Sequence, residues 1–151
     1  MAPVLSIDRL IEASPEAVFD AATDIERWPE MVPPIVRVEK LTDGPVGLGT
    51  VFRETRIMFK REATETMEFL EWDRPHGYSF GAESHGSRFR TTFRITAEGE
   101  QTRLAMTFSA TPLTRTAKIM TFLMKPMMKK MLDMCGKDLD AIKAHVEGLN
   151  R

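Results

Sequence analysis

The arrangement of chain breakers constrains the fold of this sequence more than any other feature. From Ile35 onward, stretches rich in β-branched and aromatic residues alternate with turn-forming sequences, which are Asp43-Gly44-Pro45, Gly47-Leu48-Gly49, Asp73-Arg74-Pro75, His85-Gly86 and Glu98-Gly99-Glu100. Glycine and proline clusters at such intervals indicate the turns between strands. The sequence therefore predicts six consecutive strands joined by short turns, an order typical of an antiparallel sheet.

Two of the predicted strands alternate cleanly between apolar and polar residues. Successive side chains of a strand point to opposite faces of its sheet. In residues 88–96 and 103–110 the polar face carries Arg88, Arg90, Arg94, Arg103, Thr107 and Ser109, and the apolar face carries Phe89, Phe93, Ile95, Leu104, Met106, Phe108 and Ala110. The alternation predicts that Phe93, Leu104, Met106 and Phe108 face the core, and that the other face of the sheet meets water.

The N-terminal part predicts one strand followed by two short helices. Residues 4–12 are rich in branched aliphatic side chains, which favour a strand. Ser14-Pro15-Glu16 then provides a helix start, with serine as the N-cap and proline at the first helical position. We expect a second helix to begin near Thr23-Asp24 and to be stopped early by Trp28-Pro29 and Pro33-Pro34, because proline interrupts helical hydrogen bonding.

The C-terminal part has the periodicity of a helix. Apolar residues recur three and four positions apart, at Leu113, Ala117, Met120, Met124, Met127, Met131, Cys135, Leu139, Ile142 and Val146. This spacing predicts one long amphipathic helix over residues 112–149. Pro126 lies inside the pattern, so we expect it to remove one backbone hydrogen bond and to kink the helix.

The order strand, two short helices, six strands and long helix indicates an α+β domain. Seven antiparallel strands and one amphipathic helix bury both apolar faces when the sheet curls around the helix. The predicted architecture is a helix-grip, a seven-stranded curved antiparallel sheet wrapped around a long C-terminal helix with a cavity between them. We expect residues 1–151 to form one domain, since 151 residues are enough to hold a core.

Three short motifs, together with this element order, resemble a known superfamily. They are Ile11-Glu12-Ala13-Ser14-Pro15-Glu16-Ala17-Val18-Phe19, Asp24-Ile25-Glu26-Arg27-Trp28-Pro29 and Gly47-Leu48-Gly49-Thr50. The series resembles the SRPBCC superfamily, which includes START lipid-transfer domains, pollen-allergen-like carriers, polyketide cyclases and aromatases, and coenzyme-Q-binding proteins. Within it, the chain most nearly resembles the polyketide cyclase/dehydrase-type group. The resemblance covers nearly the whole chain and implies a deep pocket between the sheet and the long helix.

The leading hypothesis is a protein that binds or carries a small hydrophobic ligand, such as a lipid, a quinone or an aromatic or polyketide-like compound. Pockets of this kind are lined mainly by apolar and aromatic side chains, with a few polar groups that orient the ligand. The candidate ligand-binding residues are Glu54, Arg56, Met67, Phe69, Tyr78, Phe80, Phe93, Met106, Phe108, Met120, Met124, Met127, Met128 and Met131.

The segment 50–59 mixes apolar and charged residues on both of its faces. Phe52, Glu54, Arg56 and Met58 share one face. A strand at the wall of a wet cavity has this pattern, and so does a twisted edge strand, which is the plainer interpretation. If the strand lines the cavity, Glu54 paired to Arg56 is the first candidate for a polar anchor, and Glu65 or Glu68 of the next strand is a second.

Methionine is unusually abundant, with 11 residues in the chain. The flexible thioether side chain adapts to irregular apolar partners. We predict that the kink at Pro126 places Met120, Met124, Met127, Met128 and Met131 over the cavity as an adaptable lid, although a core stripe is the plainer interpretation for Met120, Met124 and Met131. The helix start is apolar nearly all round and flanked by lysines, which is equally typical of a pocket mouth and of a surface for a membrane or a second subunit.

The sequence contains no recognisable catalytic or metal-binding motif. Its three histidines, His76, His85 and His145, are widely separated, and the single cysteine, Cys135, is expected to be a small buried hydrophobe. We therefore expect no metal and no cofactor, and the catalytic residues, if any exist, stay unassigned. A net charge of -1 predicts no general attraction to nucleic acid, and the lone cysteine predicts a cytoplasmic protein.

Two other functions fit the same patterns. An aromatase/cyclase-type enzyme needs an acid or base in the pocket, such as Glu54, Glu68 or Tyr78, with a shifted pKa. A protein-interaction module would dock a partner or an identical subunit through the methionine-rich helix start. A retained apolar ligand would favour the carrier, whereas an empty stable dimer would favour the interaction module.

Overall fold

Up to the end of the seventh strand, the helices and strands follow the order that the sequence predicts. The structure, a computed structural model, describes residues 3–84 and 86–149. Its elements are β1 (Pro3–Ile11), α1 (Pro15–Thr23), a 3₁₀ turn (Ile25–Arg27), α2 (Trp28–Met31), β2 (Ile35–Lys40), β3 (Val51–Met58), β4 (Arg61–Asp73), β5 (Gly77–Ser84), β6 (Ser87–Glu98), β7 (Gln101–Pro112), α3 (Arg115–Leu123), a second 3₁₀ turn (Lys125–Met127) and α4 (Met128–Leu149). The α+β fold class and the helix-grip architecture are confirmed.

The seven strands form one curved antiparallel sheet in the order β1-β7-β6-β5-β4-β3-β2. The edge strands are therefore β1 and β2. The edge position expected for segment 50–59 is wrong, because β2 pairs with β3 from Ile35 opposite Arg56 to Lys40 opposite Phe52. The sequence could not show which of the two strands lies at the edge, because β2 is as rich in charged residues as β3.

The predicted register of β6 and β7 is confirmed. Phe93 lies opposite Met106, and Ile95 lies opposite Leu104, so the apolar faces of the two strands coincide. All four side chains are buried. The polar faces carry exposed ion pairs instead, such as Arg88 with Glu83 at 2.9 Å. The sheet therefore has one apolar inner face and one charged outer face, as alternation requires.

Helix α1 begins as predicted, and α2 does not. The Ser14 hydroxyl accepts a hydrogen bond from the Ala17 amide at 3.2 Å, and Pro15 occupies the first turn of α1. Pro29 lies in the first turn of α2 rather than ending a helix. Proline is tolerated there because the amide groups of a first turn have no helical acceptor. Helix α2 ends at Met31.

The predicted continuous helix over residues 112–149 is wrong, because the chain forms two helices separated by a 3₁₀ turn. Pro112 is the last residue of β7. Pro126 has no amide hydrogen, so the helical ladder stops at Met124, and the Met127 amide instead donates to the Met124 carbonyl at 2.9 Å. Proline therefore breaks the helix rather than kinking it, and α3 is free to leave the direction of α4.

Helix α4 packs against β1, and its C-terminal half buries Leu139, Ile142 and Val146 in the core. A Cβ atom at Gly136 would lie 2.9 Å from Arg9 Nη2 and 3.2 Å from Ile7 Cδ1. A side chain at this position would require the ends of the Arg9 and Ile7 side chains to shift, so glycine favours the close approach of α4 to β1. Within the described part of the chain, no helix is long and apolar enough to cross a membrane.

An aromatic cluster fills the core between α1, α2 and the inner face of the sheet. Tyr78 stacks on Phe93 with ring centres 4.6 Å apart, and Phe19 meets Trp72 edge to face at 5.0 Å. The Trp28 indole nitrogen donates to the Ala22 carbonyl at 3.0 Å. Aromatic pairs in these geometries add about 0.5–1.5 kcal/mol each beyond the area that they bury. The cluster therefore holds α1 and α2 against the inner face of the sheet.

Candidate functional site

A cavity of about 250 Å³ lies between the inner face of the sheet and α4. All seven strands contribute to its wall, together with α2 and the first three turns of α4. The volume lies just below the roughly 300–1,000 Å³ that is typical of small-molecule pockets. The cavity is partly open to solvent. Its wall is formed by Leu5, Trp28, Val32, Ile35, Glu54, Arg56, Met58, Ala63, Glu65, Met67, Phe80, Thr91, Phe93, Met106, Phe108, Met131, Met134, Cys135, Asp138 and Leu139.

The structure brings eight of the candidate ligand-binding residues to the cavity wall, which are Glu54, Arg56, Met67, Phe80, Phe93, Met106, Phe108 and Met131. Two others, Phe69 and Tyr78, point to the same side of the sheet but lie within the aromatic core. Their rings support the wall without reaching its surface. Alternation along a strand gives the face of a side chain and not its depth, so it could not separate these two residues from those that reach the wall.

The structure does not bring Met120, Met124, Met127 and Met128 to the cavity wall. Met120 is 50% exposed and Met124 is 40% exposed, so neither is part of a core stripe. Met127 and Met128 are half-buried at the 3₁₀ turn. The physical reason is the break at Pro126, which separates the stripe of α3 from that of α4.

One end of the cavity carries a network of charged side chains. The Arg56 Nε atom donates to Glu54 Oε1 at 2.5 Å, and the Arg56 Nη1 atom donates to Asp138 Oδ2 at 2.9 Å. Glu54 and Arg56 come from β3, and Asp138 comes from α4. The predicted Glu54–Arg56 pair is present, and its second carboxylate ties the helix to the sheet across the cavity.

Burial and charge act in opposite directions on this network. Burial disfavours the positive charge of Arg56, but Glu54 and Asp138 together outweigh it and hold the pKa of Arg56 above its ordinary value. Burial also raises the pKa of Asp138, and Arg56 offsets only part of that effect. Arg56 is therefore permanently charged, while Asp138 takes up a proton more readily than an ordinary aspartate as the pH falls.

A third carboxylate faces the same end of the cavity. Glu65 lies directly opposite Glu54 in the pairing of β3 with β4. Of the two alternatives left open for β4, Glu65 lines the cavity and Glu68 is exposed on the other face. Among the described lining residues there are thus three acidic side chains and one basic side chain, and the basic one already has two carboxylate partners.

Two polar side chains near the cavity are held in their neutral forms. Cys135 is half-buried in the wall, and burial raises the pKa of its thiol to about 11. A thiol with such a pKa is protonated at neutral pH and is a poor nucleophile. Burial raises the pKa of Tyr78 as well, so the phenol stays protonated. Neither group is prepared to act as a base.

Sequence reasoning missed several wall residues, of which Asp138 matters most. Asp138 lies 82 positions from Arg56, so no local pattern connects the two. A signal was nevertheless present, because Met131, Cys135 and Asp138 fall on one helical face at intervals of four and three. An acidic residue inside an apolar stripe is costly to bury without a partner, and this indicates a buried cation elsewhere in the chain.

The described residues contain no group of three side chains that could hold a metal ion. The His76 Nδ1 atom lies 3.7 Å from Asp73 on an exposed turn, and His145 is half-buried on α4. His85 lies outside the described residues. The absence of a metal and of a cofactor stays a prediction.

A second, larger depression of about 960 Å³ lies between the turn before α1 and the turn joining β6 to β7. It is more open to solvent than the cavity, and its lining comes from two turns, Glu12 to Pro15 and Glu98 to Thr102. A ligand there would be more exposed to water than one in the cavity under α4. The cavity under α4 is therefore the better candidate site, because it surrounds its contents with apolar side chains.

Comparisons with known proteins agree with this fold. Residues 3–147 match the family described as polyketide cyclase / dehydrase and lipid transport. A solved structure of the protein TTHA0849 from Thermus thermophilus superposes with a TM-score of 0.79 at 23% identity, covering 97% of this chain and 99% of that one. No curated protein matches the chain.

Two further solved structures share the fold at lower identity. The Zhui aromatase/cyclase from Streptomyces sp. R1128 superposes with a TM-score of 0.75 at 17% identity, covering 97% of this chain and 94% of that one. A START superfamily protein from Mycobacterium smegmatis gives a TM-score of 0.68 at 15% identity, covering 96% of this chain and 97% of that one. At these identities the likeness is one of fold.

Proposed function

The chain belongs to the polyketide cyclase / dehydrase and lipid transport family, and we propose that it binds a small, mainly apolar ligand in the cavity under α4. The observation that carries this proposal is the cavity itself, a space of about 250 Å³ walled mainly by apolar side chains with one charged end. Space of this kind is costly in a protein core unless something fills it, since the surrounding atoms lose their packing partners.

The apolar part of the wall is suited to ligands of varied shape. Five of its side chains are methionines, Met58, Met67, Met106, Met131 and Met134. Methionine has three rotatable side-chain bonds and a polarisable sulfur atom, so it repacks around different apolar partners at low cost. Phe80, Phe93 and Phe108 provide rigid faces for an aromatic ring. The wall therefore fits a flat or irregular hydrocarbon better than one fixed shape.

The charged end favours a ligand with a hydrogen-bond donor. Arg56 is the one described cation in the wall, and its contacts with Glu54 and Asp138 leave it little attraction for another anion. Carboxylate oxygens accept hydrogen bonds, whereas an anionic ligand beside three acidic residues would be repelled. We therefore expect phenols, alcohols and amines to bind better than carboxylates.

Three naphthalenes with different polar groups test this selectivity. Isothermal titration calorimetry with 1-naphthol, 1-naphthylmethylamine and 1-naphthoate compares a neutral donor, a cation and an anion on the same ring. We expect naphthol and the amine to bind at least about tenfold more tightly than naphthoate, a difference of roughly 1.4 kcal/mol. Equal binding of all three, or tighter binding of naphthoate, would contradict the selectivity.

A filled-cavity variant tests the location. Ala63→Trp places a large ring in the wall from β4, and 1-naphthol should then bind about tenfold more weakly or not at all. Thr66→Trp is the matched control, because Thr66 is exposed on the other face of the same strand. Met124→Arg, outside the cavity, should leave binding unchanged. If Ala63→Trp folds and binds like the parent, the ligand site is elsewhere.

An aromatase/cyclase-type reaction is the second candidate function. The observation that favours it is Asp138, a cavity carboxyl whose pKa is raised by burial and which could therefore transfer a proton to a polyketide-like substrate. Cyclisation of a linear poly-β-ketone thioester, followed by mass spectrometry, is the test. An enzyme should lose turnover in Asp138→Asn while 1-naphthol still binds. Absence of product with the parent protein would exclude the cyclase reaction on this substrate and leave ligand binding as the proposed function.

A further inference from the structure

Helix α3 and the residue that follows it present an unusual apolar surface. Five large apolar side chains within six positions are exposed, Ile119 by 61%, Met120 by 50%, Phe122 by 67%, Leu123 by 63% and Met124 by 40%. We refer to these five residues as the α3 patch. Among the α3 side chains that the structure describes, Ala117 alone is buried. Contiguous exposed apolar surface of this kind marks a site of contact with a partner.

The surroundings of the α3 patch are strongly basic. Five cations lie in or beside it, Arg115, Lys118, Lys125, Lys129 and Lys130. The sequence has no aspartate or glutamate in residues 101–132, although the whole chain has a net charge of -1. The Lys125 Nζ atom lies 5.3 Å from the centre of the Phe122 ring, so charge and apolar surface are directly adjacent.

This distribution of charge argues against a second copy of the chain as the partner. A two-fold dimer brings the same surface of both subunits together. Two copies of the α3 patch would place ten cations near one another without any acidic residue of this segment to pair with them. Like charges at an interface disfavour the complex. A partner for this surface must supply negative charge beside apolar material.

We propose that α3 and the following 3₁₀ turn bind the surface of an anionic lipid membrane. Helices that lie in a membrane interface combine an apolar face of phenylalanine, leucine and similar residues with flanking lysine and arginine. The α3 patch would enter the boundary between headgroups and acyl chains, and the five cations would contact lipid phosphates. This interaction goes beyond ligand binding in the cavity and does not depend on it.

The position of α3 in the chain connects the membrane surface with the cavity. Helix α4 follows the 3₁₀ turn directly, and Met131 in its first turn lines the cavity wall. A membrane-bound α3 therefore brings this part of the wall close to the lipid. A hydrophobic ligand could then move between bilayer and cavity over a short path.

Flotation with lipid vesicles tests the proposal on the full chain. We expect binding to vesicles of phosphatidylcholine mixed with phosphatidylserine, weak binding to phosphatidylcholine alone, and loss of binding as salt is raised, because each basic residue near an anionic surface contributes about fivefold in affinity. Equal binding to both vesicles, or binding to neither, would overturn the proposal. Sedimentation velocity should show a monomer. A dimer dispersed by substitutions in the α3 patch would also overturn it.

Two pairs of variants separate the roles of charge and apolar surface. Lys125→Glu should weaken binding to the anionic vesicles about 25-fold, since two charge units change. The same substitution at Lys137, an exposed residue of α4, should have a much smaller effect. The double variant Phe122→Ser/Leu123→Ser should abolish insertion, whereas Leu48→Ser in the exposed β2–β3 loop should not.

The four variants change exposed side chains, so their thermal unfolding midpoints should match that of the parent. Each should also bind 1-naphthol like the parent, which makes a failure at the membrane distinguishable from a failure of the cavity. If the α3 variants and their controls bind anionic vesicles equally, the α3 patch is not the docking surface.

Discussion

Helices α3 and α4 have the same apolar periodicity in the sequence and opposite environments in the structure. The stripe of α4 buries Leu139, Ile142 and Val146 in the core. The stripe of α3 leaves Met120 and Met124 in solvent. The difference teaches that a period of three and four residues specifies an apolar face but not what that face will contact. Here the break at Pro126 separates the two helices, so that the apolar face of α4 contacts the core and that of α3 contacts solvent.

The two helices also differ in how they are tied to the sheet. Helix α4 is held by ion pairs from Arg56 to Asp138 at 2.9 Å and from Arg9 to Asp140 at 2.7 Å, and Lys143 donates to the Leu10 carbonyl at 2.9 Å. Helix α3 packs mainly against β7, buries Ala117 alone among its described side chains, and has its N-cap at Thr114. We therefore expect α4 to unfold only with the whole domain and α3 to open locally.

The largest contrast should come from shortening one leucine in each helix. Leu139→Ala removes a side chain that is fully buried and should lower the free energy of unfolding by roughly 2–5 kcal/mol. Leu123→Ala removes an exposed one and should change it by less than about 0.5 kcal/mol. Urea denaturation followed by circular dichroism measures both. Similar losses in the two variants would mean that α3 is packed in solution.

A smaller effect is expected when the tie between α4 and the sheet is cut. Arg56→Met leaves Glu54 and Asp138 buried without their cation, which should cost about 2–3 kcal/mol at neutral pH after allowing for partial exposure of the pair. Arg88→Met on the outer face breaks the exposed pair with Glu83 and should cost less than about 0.5 kcal/mol. Urea denaturation compares the variants. A stable Arg56→Met would show that the network contributes little.

Removing the helix caps should have a still smaller effect, and the effect should be global for α1 and local for α3. Ser14→Ala removes the cap of α1, which buries Val18 and Phe19, and should lower global stability by about 1 kcal/mol. Thr114→Ala removes the corresponding cap of α3 and should speed amide hydrogen exchange within α3 about fivefold without changing the urea midpoint. A global loss in Thr114→Ala would contradict local opening of α3.

The smallest effect concerns the proton on Asp138. Burial raises the pKa of Asp138 in the folded state. At pH values between the ordinary aspartate pKa and this raised pKa, the folded protein therefore binds more protons than the unfolded chain. Stability from this group is therefore lost as the pH rises through that window. Asp138→Asn should be slightly more stable than the parent at pH 7 and equal to it at low pH, as thermal unfolding at several pH values would show. A variant less stable at pH 7 would mean that Arg56 dominates.

Most of the fold could be predicted from local patterns. The alternation in β6 and β7 gave their faces correctly, and Ser14-Pro15 gave the start of α1. Two local predictions failed where position mattered more than residue type. Pro29 lies in a first helical turn, where proline is tolerated, whereas Pro126 lies far inside a helical pattern and breaks it.

The site was predictable where it lies on strands and less so where it depends on distant contacts. Glu54, Arg56 and Met67 were candidates from their strands, and the structure places them in the wall, although the mixed pattern of β3 left its cavity-facing side open. Asp138 reaches Arg56 only through the packing of α4 on the sheet. Similarly, Leu5 and Ile35 enter the wall because the sheet curls, and no pattern within a strand gives the extent of a curl.

Gly136 affects the size of the cavity although it does not line it. The missing side chain at this position lets α4 rest on β1, while Met131 and Met134, within the two preceding turns, reach into open space. Helix α4 is thus supported by β1 near its middle, and its N-terminal turns extend from that support over the cavity. A larger side chain at position 136 would have to displace the ends of Arg9 and Ile7 or lift α4 away from β1. A substitution that lifts the helix would change the size of the accepted ligand through a residue that does not line the cavity.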